Sequence, residues 1–99
     1  MTAYFIAHGT VKDPEKLQHY IDRATPYVEA AGGEFVSTGV LTDILVGEHD
    51  HKRVSIFRFP DAKAARSWFD TEGYQSLRAL RNEAADFTFL VFEETFGAT

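Results

Sequence analysis

A chain of 99 residues that is 44% hydrophobic and 14% aromatic, with nine Phe, can build one core but not two, so a single folded domain over residues 1–99 is expected. The formal net charge of -5 argues against nucleic acid or an acidic membrane surface as a partner, because such partners are held by clustered Lys and Arg and no cluster occurs. The absence of cysteine rules out disulfides and thiolate chemistry.

The chain opens Met1-Thr2-Ala3, with no basic leader and no apolar run long enough for a signal or a membrane span, so the cytoplasm is the expected compartment. Residues 4–11 alternate faces as a strand does, with Phe5, Ala7, Gly9 and Val11 on one side and Tyr4, Ile6, His8 and Thr10 on the other. Asp13-Pro14-Glu15 then predicts a helix start: Asp caps free amides, Pro at the first position loses no hydrogen bond, and Glu suits the positive end of the dipole. Leu17, Tyr20, Ile21, Ala24, Tyr27, Val28 and Ala31 recur at three- and four-residue spacing and predict a helix of about five turns. Pro26 inside that stripe predicts a kink near residues 22–26, and Gly32-Gly33 predicts the helix end, with one glycine left-handed.

Residues 35–40 and 53–59 predict a second and third strand that pair. Residues 41–47 are candidates to extend that hairpin, and Glu48-His49-Asp50-His51-Lys52 is polar enough for its exposed tip. Asp61 is a second cap candidate, leading a short helix with Ala65, Trp68 and Phe69 inward. A break at residues 70–73 precedes a further helical segment on which Tyr74, Leu77, Leu80, Arg81 and Ala84 share a face. Residues 87–94 predict the last strand, and a loose tail is expected from Thr95.

The order β-α-β-β-α-β packs most simply as an α+β, ferredoxin-like sandwich. Both helices then lie on one face of a four-stranded antiparallel sheet of order 4-1-3-2. Phe5, Ala7, Phe57, Phe59, Leu90 and Phe92 are expected under the helices, while Tyr4, Ile6, Val36, Val54, Ile56, Phe87, Phe89 and Val91 point the opposite way. A solvated sheet face should be more polar than that second set. Such a face presents on the order of 300 Å² of flat area, and a two-fold copy would cover it, so the expected partner is a second copy of the chain in a homodimer.

Specific residues add to the pattern. Tyr4-Phe5-Ile6-Ala7, Asp13-Pro14, Gly32-Gly33-Glu34-Phe35, Val54-Ser55-Ile56-Phe57-Arg58-Phe59-Pro60, Ala65-Arg66-Ser67-Trp68-Phe69 and Gly73-Tyr74-Gln75, with Leu80-Arg81 and Ala84, together resemble the bacterial domain of unknown function 1330 family, within the dimeric α/β-barrel superfamily. The resemblance spans nearly the whole chain. It implies a ferredoxin-like subunit that dimerises through its sheet into a barrel, and it brings no catalytic assignment. Glu34 stands where a basic residue is common in the family, and Thr71-Glu72-Gly73 where Ser-Pro-Glu is usual.

Within the inferred strand order, Tyr4, Glu34, Arg58 and Glu93 gather at one end of the open face, and His8, Thr10 and Thr38 at the other. Arg58 between carboxylates suits an ion-pair network, or else a clamp for an anion, which a planar guanidinium grips with two hydrogen bonds. His8 on a mostly apolar wall is a candidate general base, or a hydrogen-bonded structural histidine. Tyr74 and Arg81, seven residues apart on one helical face, can reach a common cleft at the sheet edge, where packing and capping roles suit them equally. His49-Asp50-His51 offers two or three donors where a structural zinc site wants four, so a solvated turn is expected and no metal. No phosphate loop or nucleophile elbow is present, and no cofactor is expected.

Three functions fit. The first is a homodimeric barrel binding a small, partly apolar molecule between sheet and helices, with Tyr4, His8, Thr38, Arg58, Tyr74 and Arg81 as candidate ligand-binding residues. The second is a cofactor-free enzyme of the monooxygenase or isomerase kind using His8 as base, and the third a structural or regulatory dimer with a filled interior. A solvent-reaching cavity lined by His8, Arg58 or Tyr74 favours the first two.

Overall fold

Elements run β1 (Ala3–Val11), α1 (Pro14–Ala30), β2 (Glu34–Val40), β3 (Arg53–Phe59), α2 (Ala62–Asp70), α3 (Glu72–Gln75), α4 (Arg78–Ala84) and β4 (Ala85–Glu93) in the computed structural model, which describes residues 1–95. The tail expected from Thr95 falls, after that residue, outside the described residues. The strands form one antiparallel sheet of order β2-β3-β1-β4, the ferredoxin-like arrangement, with the helices on one face. Among the described residues no helix is long and apolar enough to cross a membrane.

Local chemistry sets the helix boundaries. Asp13 accepts the backbone amides of Glu15 and Lys16, both at 3.1 Å, while Asp61 accepts that of Ala64 at 2.7 Å. Each carboxylate satisfies first-turn donors that have no partner within the helix. At the far end of α1, Gly33 N–H donates to Val28 O and Gly32 N–H to Glu29 O, with Gly32 at φ 85. That is a Schellman closure, which needs the left-handed residue that glycine supplies at least cost. α1 continues through Pro26, whose missing amide falls on the exposed side of the helix.

The expected second helical region divides differently. Thr71 closes α2, its Oγ1 donating to Trp68 O, and opens α3 by accepting Tyr74 N–H. The expected break thus narrows to Thr71; Glu72 and Gly73 belong to a helix, and a second break follows at Ser76-Leu77, where Ser76 Oγ donates back to Gly73 O. Tyr74, Leu77 and Ala84 are all buried, so the inward face survives the interruption.

The connection over residues 41–52 gains a single extra rung, Leu41 N–H to Lys52 O, and is otherwise irregular. It carries Leu45 and Val46, 91% and 94% exposed, ahead of Gly47 at φ 90.

The core lies between sheet and helices and is built on aromatic rings. Trp68 sits with its ring centroid 4.9 Å from Phe5 and 4.6 Å from Tyr74, and Phe59 closes the floor, 1% exposed. Aromatic contacts at these spacings add to burial itself.

Two expected facings are corrected. In β4, Phe89 lies opposite Ala7 and Phe87 opposite Gly9, so Phe87, Phe89 and Val91 face the helices, while Leu90 and Phe92 face away and are each 49% exposed. Both alternating sets of this strand are apolar, so periodicity alone assigns no side to it; the register with β1 does. In β2, an irregularity between Phe35 and Ser37 inserts one residue and puts Thr38 opposite Ser55, on the helix side with Phe35. Strict alternation had placed Thr38 beside His8.

Candidate functional site

The inward side of α1 faces residues of all four strands across an open space. That space is a cavity of about 370 Å³. Its roof is Leu17, Tyr20, Ile21, Ala24, Thr25 and Val28 of α1, which are the inward stripe of that helix. Its floor comes from Phe5 and Ala7 of β1, Phe35 and Thr38 of β2, Arg53, Ser55 and Phe57 of β3, and Phe87 and Phe89 of β4, with Trp68 of α2 at the back. The volume lies within the range usual for small-molecule sites, and the lining is apolar with a few polar groups, as in such sites generally.

Those polar groups cluster. Thr38 Oγ1 lies 2.8 Å from Ser55 Oγ and 3.2 Å from Val54 O, and Arg53 stands on the same strand face as Ser55. Among the described residues Arg53 makes no ion pair, whereas Arg58 and Arg66 each do. Trp68 is 3% exposed, and its indole N–H has no hydrogen-bond partner among the described residues.

Of the six residues singled out from the sequence, only Thr38 lines this cavity. Tyr74 is fully buried, its hydroxyl 2.6 Å from that of Tyr20 and accepting from Arg81 Nη1 at 3.2 Å. Tyr74 and Arg81 thus meet inside a packed polar triad and not at the expected cleft. Burial, then the neighbouring Tyr74 hydroxyl, pushes the Tyr20 phenol well above its ordinary range, so it is a neutral group at any physiological pH. Arg81 also spans the Phe69, Tyr74 and Phe89 rings at 5.6–6.0 Å.

Tyr4, His8 and Arg58 lie on the opposite, open face. Arg58 Nη2 donates to Glu34 Oε2 at 3.0 Å, and Tyr4 stacks on Phe92 with centroids 5.3 Å apart. Glu93, expected beside Arg58, instead faces the helices and accepts Ala62 N–H at 2.9 Å, because its register partner is Ala3. The Arg58–Glu34 pair is exposed on both sides and holds little energy.

At the other end of the open face His8 meets His49 edge to face, centroids 4.6 Å apart. His51 bridges Thr10 and Thr88, at 2.9 Å through Nδ1 and 3.1 Å through Nε2, so a neutral ring accepts from one hydroxyl and donates to the other. Desolvation, then the His49 and His51 rings, holds the His8 imidazole below its ordinary 6.5. His8, His49, His51 and Thr88, together with Glu48, Asp50 and Leu90, border a second, polar depression of about 400 Å³. Among the described residues no three His, Cys, Asp or Glu side chains are grouped to hold a metal ion. Between the polar ends runs an apolar strip that includes Ile6, Ile56 and Leu90.

Arg53, Ser55, Tyr20 and Trp68 were not singled out from the sequence as site residues. The signal for the first two was present: Phe57 and Phe59 face the helices, and alternation carries Ser55 and Arg53 to the same side.

Comparison with known proteins agrees with this architecture. The family model described as Domain of unknown function (DUF1330) matches residues 2–95. No curated protein matches the sequence. The fold is similar to that of a protein of unknown function from Rhodopseudomonas palustris, with 17% identity, 97% of this chain and 84% of that one covered, and a TM-score of 0.76. It is also similar to SnoaB, a cofactor-independent oxygenase from Streptomyces nogalater, at 18% identity, 97% and 95% coverage and a TM-score of 0.69. A dimeric ferredoxin-like protein of unknown function from Thermobifida fusca aligns at 14% identity, 93% and 90% coverage and a TM-score of 0.58.

Proposed function

The chain belongs to the domain of unknown function 1330 family, and from that premise we propose that it is a homodimer that binds a small, mostly apolar molecule in the cavity between its sheet and α1. The observation that carries the binding reading is the cavity itself: about 370 Å³ lined almost wholly by apolar and aromatic side chains in a chain of only 99 residues. A structural dimer with a filled interior has no use for such a space, because unfilled volume in a core costs stability.

Pairing through the open face is supported by its apolar strip, with Leu90 and Phe92 half exposed, and by the dimeric description of the Thermobifida fusca neighbour. The enzyme alternative draws on fold likeness to SnoaB, which is a weak warrant. His8 lies across the sheet from the cavity, and the described lining residues include no carboxylate or imidazole to move a proton. A base role for His8 would have to act at the polar depression on the open face.

A thermal-shift screen of small aromatic and aliphatic compounds, repeated on Ser55→Phe, tests the binding reading. Hits that stabilise the wild type and leave the folded, cavity-filled variant unmoved are expected. Stabilisation of both proteins alike would move the site elsewhere.

A further inference from the structure

The cavity carries more chemical information than its apolarity. Among its described lining residues Arg53 is the single charged group, and no carboxylate of the described chain pairs with it. A guanidinium at an apolar wall without a counter-charge is a binding element for an anion, because its planar fork gives two parallel charge-assisted hydrogen bonds to a carboxylate. Thr38 and Ser55 adjoin it on the same face, with hydroxyls 2.8 Å apart that can turn toward an oxyanion.

The second unmatched group lies at the other end. Trp68 lines the back of the cavity, and its N–H is buried and unpartnered, a state that costs free energy unless something accepts from it. Between these two polar points the walls are rings, Phe5, Phe57, Phe87 and Phe89, which favour flat π-systems in tilted or edge contact.

We propose that the ligand is an aromatic acid, its carboxylate held by Arg53 at the mouth and its ring system seated among the phenylalanines against Trp68. The proposal rests on the cavity-binding reading and adds the ligand's class and orientation to it. Arg53 sets the specificity and the aromatic walls supply most of the affinity.

Naphthoate and its neutral analogue naphthalenemethanol serve as probes, titrated into nitrogen-labelled protein. Trp68 is the only tryptophan in the sequence, so one indole N–H resonance reports occupancy of the back wall without ambiguity. Naphthoate is expected to shift that resonance and to bind at least about tenfold more tightly than the alcohol, the scale of one charge-assisted hydrogen bond. Arg53→Met keeps the stem and removes the charge. It should bring naphthoate down to the level of the alcohol while leaving the alcohol's affinity and the remaining amide spectrum unchanged. Equal affinity of the wild type for both probes, or naphthoate binding untouched in the Arg53 variant, overturns the acid assignment and leaves the apolar cavity as a binder. An indole resonance that neither probe moves, with hits from the compound screen also failing to move it, removes the cavity reading altogether.

Discussion

The hydroxyls of Tyr20 and Tyr74, 54 residues apart in sequence, lie 2.6 Å from each other inside the core, and Arg81 donates to the second of them. This buried contact ties α1 to the short α3 and α4 helices by a directional bond, beside apolar packing and the exposed Lys16–Glu83 ion pair. Tyr74→Phe leaves Tyr20 and Arg81 each short of a partner, so a loss of about 1–3 kcal/mol is expected in urea unfolding. Tyr20→Phe with Tyr74→Phe should lose less than the sum of the single changes, since the second substitution removes a hydroxyl already orphaned by the first. Strictly additive losses would mean the bond contributes nothing.

Gly33 and Gly39 should respond oppositely to alanine. A Cβ at Gly33 would stand 2.5 Å from Val28 Cγ1 and 2.9 Å from the buried Phe59 ring, whereas at Gly39 nothing lies within 4 Å. Gly33→Ala is expected to cost about 1–3 kcal/mol through overpacking, and Gly39→Ala to be neutral or slightly stabilising. Thermal unfolding of the two variants side by side checks the contrast.

The proposed pairing through the open face makes Ile6→Lys decisive. Ile6 sits on the apolar strip of the central strand, beside Ile56 and Leu90, where a buried ammonium without a partner would be costly. Sedimentation should show the wild type as a dimer at micromolar concentration and the variant as a folded monomer, its dissociation constant raised by at least about a hundredfold. A monomeric wild type, or a variant that still dimerises, speaks against that face.

Proton binding at His8 gives a further check. Its folded-state affinity for a proton is depressed below the ordinary 6.5 by desolvation and then by His49 and His51. The unfolded chain therefore takes up the proton first as pH falls. His8's contribution to stability is fully present above about pH 6.5 and is lost as pH falls through the lower, folded value. His8→Gln should flatten part of the acid-side decline in urea midpoint, and a proton NMR titration should place the His8 midpoint below 6.5.

The element order and sheet topology were legible because Asp13-Pro14, Gly32-Gly33 and Asp61 are local signals whose chemistry acts within a few residues. The facing of Thr38 was not, since it turns on one inserted residue near Val36 that no period-two pattern records. In β4 both faces are apolar, and only the alignment of Phe89 with Ala7 decides between them. The functional residues were harder still. Arg58 and His8 attracted notice as polar groups on a greasy sheet, yet Arg58 is paired with Glu34, and His8 packs edge to face on His49 on the side away from the cavity. The groups left unmatched, Arg53 and the Trp68 N–H, are recognisable only once every possible partner has a position.

Strand β2 is hydrogen-bonded along one edge alone, and its inner face carries Phe35 and Thr38, the outer wall of the cavity. Separating it from β3 breaks a single ladder, a smaller disruption than moving a central strand or lifting α1. Ligand exchange and amide hydrogen exchange should therefore share one breathing motion, with β2 amides the fastest in the sheet when the cavity is empty and slowed in step with its occupancy. The seam that makes this fold easiest to loosen would also be the doorway for the proposed ligand.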